Sequence, residues 1–343
     1  QYSNWLSGAQ FEIIDGVPTP VFPPGVDPIK DRLTARDRET ALVVVPWFHA
    51  MGTIGYLNSL VFSGTTMVVF PRFDPKEYLD AIPTYNATVV GGAPQLFIPL
   101  VNHPDFSSYD LSGIKLASSG AAPLALPVLD KMLDAFSGVV CEAYGLTECS
   151  MGATANPPAR SNIRQGSVGV PVFDTECKVV DLETGKELPP GKEGEICIKG
   201  PQVMQGYWNK PQETAEVLKD DWLSTGDIGK MDEDGYLYIT DRKKDMIIYK
   251  GYNVYPRELE EAIFTHPAVE QCAVVGKPDL DVGEAPVAFV QLRQGAKATA
   301  EEVMEHTNPQ IAAYKKIREV RFLDAIPVSP AGKLLKRVLR EML

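Results

Sequence analysis

Tyr144-Gly145-Leu146-Thr147-Glu148 places a stackable ring, a hydroxyl able to bond a phosphate oxygen and a carboxylate able to hold a hard cation within five residues. The same string also suits a plain capped turn, a threonine followed by an acid. Trp222-Leu223-Ser224-Thr225-Gly226-Asp227 ends in a carboxylate that can accept both hydroxyls of a ribose, as acids do in dinucleotide folds, or that simply closes a turn. Asp241-Arg242-Lys243-Lys244-Asp245 is a charged junction, followed by Lys250-Gly251-Tyr252-Asn253-Val254-Tyr255-Pro256-Arg257-Glu258. Finally, Pro327-Val328-Ser329-Pro330-Ala331-Gly332-Lys333 sets a lysine on a Pro/Gly loop. Most loop lysines are solvated, but one held at the start of a helix is well placed to reach a neighbouring domain.

These groups need a frame. Over the first 155 residues or so, apolar runs alternate with amphipathic stretches. Residues 41–47 and 66–70 read as buried strands. Asp74-Pro75-Lys76-Glu77 supplies an N-cap, a first-turn proline and an acid three residues after the cap, so a helix starts there. Residues 88–90 read as a strand before a Gly91-Gly92 turn, and 114–117 as another before a helix over 124–136, with 139–142 extended again. That βαβ rhythm predicts a parallel sheet, with ligands beyond the carboxyl ends of its strands. The turns after Ala117 and Ala143 should therefore line one crevice. From about 161 to 241, short β-rich pieces between Gly, Pro and Asp turns predict a small antiparallel barrel or sandwich. Beyond Asp241, helices are expected over 256–265 and 299–307, strands over 269–275 and 286–292, and a basic amphipathic helix over 334–343.

The expected fold is thus multidomain α/β: an α/β lobe with a mostly parallel sheet (1–158), a β-barrel subdomain (159–241) and an α+β C-terminal domain (242–343). A chain of 343 residues suits two or three cores. With 44% hydrophobic and 23% charged residues, composition excludes a disordered, collagenous or coiled-coil chain. Apolar runs fall short of the roughly 20 residues a membrane span needs. Thirty-three basic against 45 acidic residues give a net charge of -12, which disfavours nucleic acid as a partner. Lys315, Lys316, Arg318, Arg321, Lys333, Lys336, Arg337 and Arg340 crowd the tail and read mostly as a solvated helix face, with a local phosphate contact as the sharper alternative. Five dispersed cysteines without a Cys-x-x-Cys pair point to a reducing, cytoplasmic setting. Four scattered histidines suggest no zinc site, so any metal should be a hard ion on carboxylate and phosphate oxygens.

The four strings, in this order and spacing, resemble the AMP-forming acyl-CoA synthetase and ligase superfamily over essentially the whole chain. Pro46-Trp47-Phe48-His49-Ala50-Met51-Gly52, Gly120-Ala121-Ala122-Pro123-Leu124 and Gly206-Tyr207-Trp208 add to the resemblance. It implies a two-step ligation with ATP, Mg²⁺ and CoA: a carboxylic acid is adenylated, releasing pyrophosphate, and the CoA thiol then displaces AMP. By resemblance, Gly120, Ala121 and Ala122 lay backbone against adenine, Tyr144 stacks on it with Gly145 beside it, Thr147 contacts the α-phosphate and Glu148 ligates Mg²⁺. Asp227 binds the ribose with Arg242 alongside, and Lys333 bridges the attacking carboxylate and the α-phosphate. Lys244 is the hinge of a mobile C-terminal domain, and Lys250, Gly251 and Tyr252 lie beside the pantetheine of CoA. His49, Gly92, Ser119 and Cys149 fall in the acyl pocket.

One departure stands out. The superfamily's Ser/Thr/Gly-rich phosphate loop has no match in these residues. Phe62-Ser63-Gly64-Thr65-Thr66-Met67 lacks its second glycine and its lysine, and reads as a turn. The expectation is a C-terminal part of a longer enzyme, impaired in adenylation as given. The expected partners are a small-molecule carboxylic acid, ATP and CoA. Small residues along the pocket wall, among them Gly91, Gly92, Gly120 and Gly145, leave room for a long or broad acyl group, and resemblance to bacterial and archaeal fatty-acid ligases implies a medium- or long-chain fatty acid in preference to an aryl acid. At most the basic tail touches a membrane surface, the competing use being packing of residues such as Leu334 and Leu339, and a homo-oligomer stays open. The rival reading is a non-catalytic nucleotide-binding module.

Overall fold

The computed structural model describes residues 10–14, 17–21, 39–122, 124–157, 160–329 and 334–343. The chain divides into two units, one taking residues up to Glu176 plus Gly200–Pro211, the other Cys177–Lys199 plus Gln212–Leu343.

In the first unit, β1 (Gln10–Ile14) and β2 (Val17–Val21) pair as an antiparallel hairpin. The main sheet follows from β3 (Thr40–Val43), β4 (Thr66–Val69), β5 (Val89–Gly92), β6 (Leu116–Ser119), β7 (Val139–Tyr144), β8 (Thr154–Ala155) and β9 (Val170–Pro171), in the order β4-β3-β5-β6-β7-β8-β9. Pairing is parallel from β4 to β7, as the βαβ rhythm predicts, then antiparallel through β8 and β9. Ala41, Leu42 and Val43 are completely buried, the mark of an inner parallel strand covered on both faces. β3 stops short of residue 47 because Pro46 has no N–H for the ladder and Trp47 turns outward. β4 is an edge strand and only half buried, not the buried strand expected. Gly91 and Gly92 belong to β5 itself instead of a turn after it.

The crossovers are α1 (Ser59–Ser63), preceded by a π-helical stretch Met51–Asn58, then α2 (Pro75–Thr84), α3 (Pro94–Val101) and α4 (Leu126–Ala135). The Asp74 carboxylate accepts from the Glu77 N–H at 2.9 Å and Pro75 opens α2, as the sequence predicts. Leu42 faces a core with Tyr78, Phe97, Ile114 and Met132, while its neighbours Ala41 and Val43 face Tyr56 and Leu60. Strand alternation thus gives the sheet two apolar faces, each with its own helical cover. Gly64, left-handed at φ 69°, ends α1 and turns the chain into β4, so the turn read over 62–67 narrows to Gly64-Thr65, with Phe62 and Ser63 in the helix and Thr66 and Met67 in the strand.

The second unit carries two sheets. β10 (Glu176–Val180), β11 (Gly194–Lys199), β12 (Leu218–Lys219), β13 (Trp222–Met231) and β14 (Leu237–Arg242) form one, ordered β10-β11-β13-β12 with β14 on β13, and α5 (Pro211–Val217) precedes β12. The other has the order β16-β15-β18-β17, with β19 parallel to β18. Its strands are β15 (Ile247–Tyr249), β16 (Tyr252–Val254), β17 (Val269–Asp279), β18 (Gly283–Leu292) and β19 (Glu319–Phe322). Leu259 and Ile263 of α6 (Pro256–Phe264) and Val303 of α7 (Ala300–Thr307) pack on one face, against Val274, Ala288 and Val290. Leu339 of α8 (Lys336–Glu341) packs on the other, against Val275, Val287 and Phe289. Thr299 and Glu302 close a reciprocal capping box at the start of α7. The final helix is shorter than expected, and its apolar side, with Leu334 and Leu343, is used inside this domain. Among the described residues no helix is long and apolar enough to cross a membrane.

Candidate active site

In the first unit the chain runs from β3 to β4 on one side, then returns to β5 on the other side of β3. The crevice outside the carboxyl ends of β3 and β5 is therefore the topological switch point, where open α/β sheets bind ligands. His49 lies beyond β3 and Gly92 ends β5. Gly92 is in register with Ser119, and Ser119 with Glu142 on β7, two residues before Tyr144. Four sequence-predicted groups thus follow one another along a single sheet edge: His49, Gly92, Ser119–Ala122 and Tyr144–Glu148.

Their local supports are specific. The His49 Nδ1 accepts from the Met51 N–H at 3.2 Å and holds the entry to the π-helical stretch. The Gly120 N–H donates to the Gly92 carbonyl at 3.2 Å, extending the ladder into the turn. Ala121 has φ of 68°, a left-handed conformation unusual for a residue with a side chain, which turns the backbone sharply at the sheet edge. The Ser119 hydroxyl is buried and has no hydrogen-bond partner among the described residues, a group that a ligand's polar atom would satisfy. Cys149 is wholly buried, its thiol bonded to the N–H and carbonyl of Leu146 at 3.3 Å, so it braces the turn from within.

Glu148 is gripped by a segment distant in sequence. Residues Gly200–Pro211 return to the first unit between two stretches that belong to the second. There the Met204 N–H donates to the Glu148 carbonyl at 2.7 Å, the Ser150 hydroxyl donates to the Gln202 carbonyl at 3.0 Å, and Gln202 Nε2 donates to the Gly152 carbonyl at 3.3 Å. The Tyr207 hydroxyl donates to Glu148 Oε1 at 2.9 Å. Burial and the adjacent Glu148 carboxylate push the Tyr207 phenol up to about 12, so it remains a donor at neutral pH. Sequence reading noted Tyr207 only as part of a string; nothing in its spacing announces a carboxylate 59 positions away.

The small residues along this edge serve the protein's own packing. A Cβ on Gly91 would overlap the Tyr56 hydroxyl, which sits 2.8 Å from Ser118 Oγ. A Cβ on Gly120 would stand 2.8 Å from Met51 Cε, and one on Gly145 would overlap the Met151 carbonyl. At Gly92 the neighbour is Leu96, 3.3 Å away. At Gly91 and Gly145 the missing side chain therefore serves the protein's own packing and not room for an acyl chain.

In the second unit, Asp227 and Arg242 are cross-strand partners on β13 and β14, with Arg242 Nε donating to Asp227 Oδ1 at 3.0 Å. Thr225 and Gly226 shape this turn: the Thr225 hydroxyl accepts from the Asp227 N–H at 3.1 Å, and Gly226 is left-handed at φ 70°. The adjacent junction is a buried ionic cluster. Asp241 accepts from the backbone N–H groups of Arg242 and Arg257, at 2.6 and 2.9 Å. Lys336 pairs with Glu260 at 2.8 Å, both 13% exposed. Arg340 pairs with Asp245 at 2.7 Å and also donates to the Lys244 carbonyl at 3.5 Å. Burial pushes the Asp241 carboxyl up to about 6, opposed by the Lys336 charge. Burial pulls Lys336 down, but the carboxylates of Glu260, Asp241 and Asp245 more than offset it and hold the ammonium above its ordinary range. The basic tail is therefore not mainly a solvated face: Lys315 pairs with Glu258 and Arg321 with Glu319, both at 2.5 Å, while of the paired α8 cations Arg337 is largely exposed, pairing with the exposed Glu341.

Lys250 and Gly251 form the two-residue turn between β15 and β16, both left-handed at φ 51° and 80°. Tyr252 stands beside them, its ring 5.0 Å from that of Tyr314. Lys333, with Pro330, Ala331 and Gly332 before it, lies outside the described residues, as does Pro123. The structure thus gathers the adenine, metal and acyl candidates in the first unit, and the ribose, hinge and thiol candidates in the second. Among the described residues no three His, Cys, Asp or Glu side chains converge as a metal cage. A half-buried carboxylate beside an exposed threonine suits Mg²⁺, which takes one or two protein carboxylates and completes its shell with water and substrate phosphates.

Comparison with known proteins bears on this arrangement. The sequence profile described as "AMP-binding enzyme" matches residues 25–208, and that described as "AMP-binding enzyme C-terminal domain" matches residues 258–333. A long-chain-fatty-acid–CoA ligase of Bacillus subtilis (strain 168) is 45% identical over 303 residues, which are 88% of this chain and 54% of that protein. A probable 4-coumarate–CoA ligase of Dictyostelium discoideum is 39% identical over 312 residues, 90% of this chain and 56% of that protein. The chain spans about half the length of the curated relatives it matches. Among solved structures, ATP-bound MatB from Rhodopseudomonas palustris is similar at a TM-score of 0.81 and 35% identity, over 92% of this chain and 62% of that one. An anthranilate CoA ligase, AuaEII, in complex with anthranoyl-AMP, gives 0.82 and 30%, over 89% and 58%.

Proposed function

The chain belongs to the AMP-binding enzyme family, and from that premise we propose that it carries the nucleotide, acyl and thiol sites of an ATP-dependent acid–CoA ligase. In the first step a carboxylate oxygen attacks the α-phosphorus of ATP and pyrophosphate leaves. In the second the CoA sulfur attacks the acyl carbonyl of the adenylate and AMP leaves. The observation that carries the reading is the row of backbone turns and the Tyr144–Glu148 string along the carboxyl edge of a parallel sheet, beside its switch point, where a nucleotide is expected.

The turn Gly120-Ala121-Ala122 lies along the adenine, and Tyr144 stacks on it with Gly145 beside it. Thr147 donates to the α-phosphate. Asp227, fixed by Arg242, takes the ribose hydroxyls. Glu148 would hold Mg²⁺, which when bound would supply charge neutralisation at the phosphates. Such chemistry asks the protein for positioning and preset charge more than for covalent participation. Lys333 supplies a second positive charge at the attacking carboxylate. The C-terminal domain turns about Lys244 between the two steps, bringing the Lys250-Gly251 turn and Tyr252 to the thiol.

The substrate we propose is a medium- or long-chain fatty acid, bounded by His49, Gly92, Ser119 and Cys149. The names of relatives at 45% and 38% identity support it. An aryl acid is the second reading, supported by the 4-coumarate ligase names at 39% and 37%. Five free cysteines fit a reducing, cytoplasmic compartment. ATP–pyrophosphate exchange on a panel of fatty and aryl acids tests the substrate. Calorimetric titration with AMP tests the site: Asp227→Asn, removing a charged acceptor, should weaken binding roughly 10- to 100-fold. Equal AMP affinity in the variant would refute the ribose assignment.

A further inference from the structure

The assignment of Glu148 as the metal carboxylate leaves open what aims it. A carboxylate on a short turn rotates freely unless something holds one oxygen, and ligating carboxylates are ordinarily fixed by a second hydrogen bond. Glu148 is held twice, and both holds come from Gly200–Pro211. The Met204 N–H on the Glu148 carbonyl fixes the backbone, and the Tyr207 hydroxyl on Oε1 fixes the side chain. The Ser150 hydroxyl on the Gln202 carbonyl and Gln202 Nε2 on the Gly152 carbonyl clamp the same turn further. Gln202 is itself anchored, its Nε2 donating to the Thr175 hydroxyl at 2.7 Å.

We infer that Tyr207 is a positioning residue for the divalent cation: by donating to Oε1 of Glu148 it presents Oε2 to the metal that accompanies the nucleotide phosphates. The inference rests on the metal role given to Glu148 above. Tyr207 touches neither substrate nor cation in this scheme and acts only through the carboxylate. The backbone clamps do not depend on its hydroxyl, so Tyr207→Phe removes the aiming bond and leaves the turn in place.

The experiment is calorimetric titration of the 343-residue chain with ATP in MgCl₂, ATP in EDTA, and AMP, for the unaltered protein, Tyr207→Phe and Glu148→Gln. The ratio of ATP affinities with and without Mg²⁺ reads metal coupling without any turnover. Expected are a ratio well above one in the unaltered chain, its loss in Glu148→Gln, and a reduction of about tenfold in Tyr207→Phe. AMP affinity and the melting temperature should stay unchanged in Tyr207→Phe, which separates aiming from folding. An unaltered ratio in Tyr207→Phe beside a lost one in Glu148→Gln overturns this inference alone. A ratio that Glu148→Gln does not change overturns the metal assignment and this inference with it. A parallel fall in AMP affinity and melting temperature in Tyr207→Phe makes the tyrosine merely structural and equally overturns the inference.

Discussion

Replacing Lys336 by Met separates a buried ionic cluster from a decorative one. The ammonium and its partner Glu260 are each 13% exposed, and the charges of Asp241 and Asp245 also favour the ammonium form. Met fills the volume of the aliphatic stem and removes only the charge. Breaking a buried pair from one side leaves an uncompensated charge and costs about 3–5 kcal/mol. The loss should depend on pH. Burial already pushes Asp241 up to about 6, and Lys336 is the charge that opposes the shift. An acid whose folded pKa lies above its unfolded value stabilises the fold below the unfolded pKa, and that contribution is lost as pH rises through the folded value. Removing Lys336 raises Asp241 further, so the deficit should be largest near pH 8 and shrink toward about pH 5.5. Urea unfolding at both pH values measures it, with the second unit's transition followed separately because two units need not unfold together. Glu260→Gln keeps the acceptor for the Val274 N–H at 2.8 Å while removing the charge, so the double variant should regain about 1–2 kcal/mol over Lys336→Met. A loss under about 1 kcal/mol at pH 8, or the same loss at both pH values, would refute the reasoning.

Gly91→Ala should destabilise the first unit by about 1–3 kcal/mol in thermal unfolding, because the new Cβ overlaps the Tyr56 hydroxyl. Adding Tyr56→Phe should recover part of that, and no recovery would show the strain to lie elsewhere. Thiol labelling of the native protein should modify Cys177 well ahead of the other four. These are buried, with Cys141 pushed up to about 12 and Cys272 well above its ordinary value by burial. Rapid native labelling of Cys141 or Cys272 would contradict the packing around them.

Much of the frame was readable from local chemistry. Asp74-Pro75-Lys76-Glu77 announced its helix because a cap is written within four residues. The parallel core followed from apolar runs spaced by helix-length stretches. What escaped depends on distance along the chain. Gly91 looked like a turn residue because glycine's freedom is visible in sequence, whereas the Tyr56 ring that requires the missing Cβ is not. The tail cations looked solvated because Asp245, Glu258 and Glu260 lie far upstream of Arg340, Lys315 and Lys336. The β15–β16 hairpin was overlooked for a local reason: Lys250 takes a left-handed conformation more usual for Asn or Asp, so Lys-Gly is a faint hairpin signal. The candidate site was legible where it consists of contiguous strings, and illegible where one string is held by another, as Glu148 is by Tyr207.

The excursion of residues 200–211 into the first unit has a consequence for how this protein can be taken apart or recombined. A gene fragment ending at Glu176 would encode every strand of the larger sheet yet omit the stretch that fastens its Tyr144–Glu148 turn. Swaps between homologues that place a crossover between Glu176 and Gly200 would mix the two halves of that fastening from different parents. Exchange points after Pro211 keep both halves from one parent, and libraries built there should retain more folded, nucleotide-competent members than libraries joined upstream.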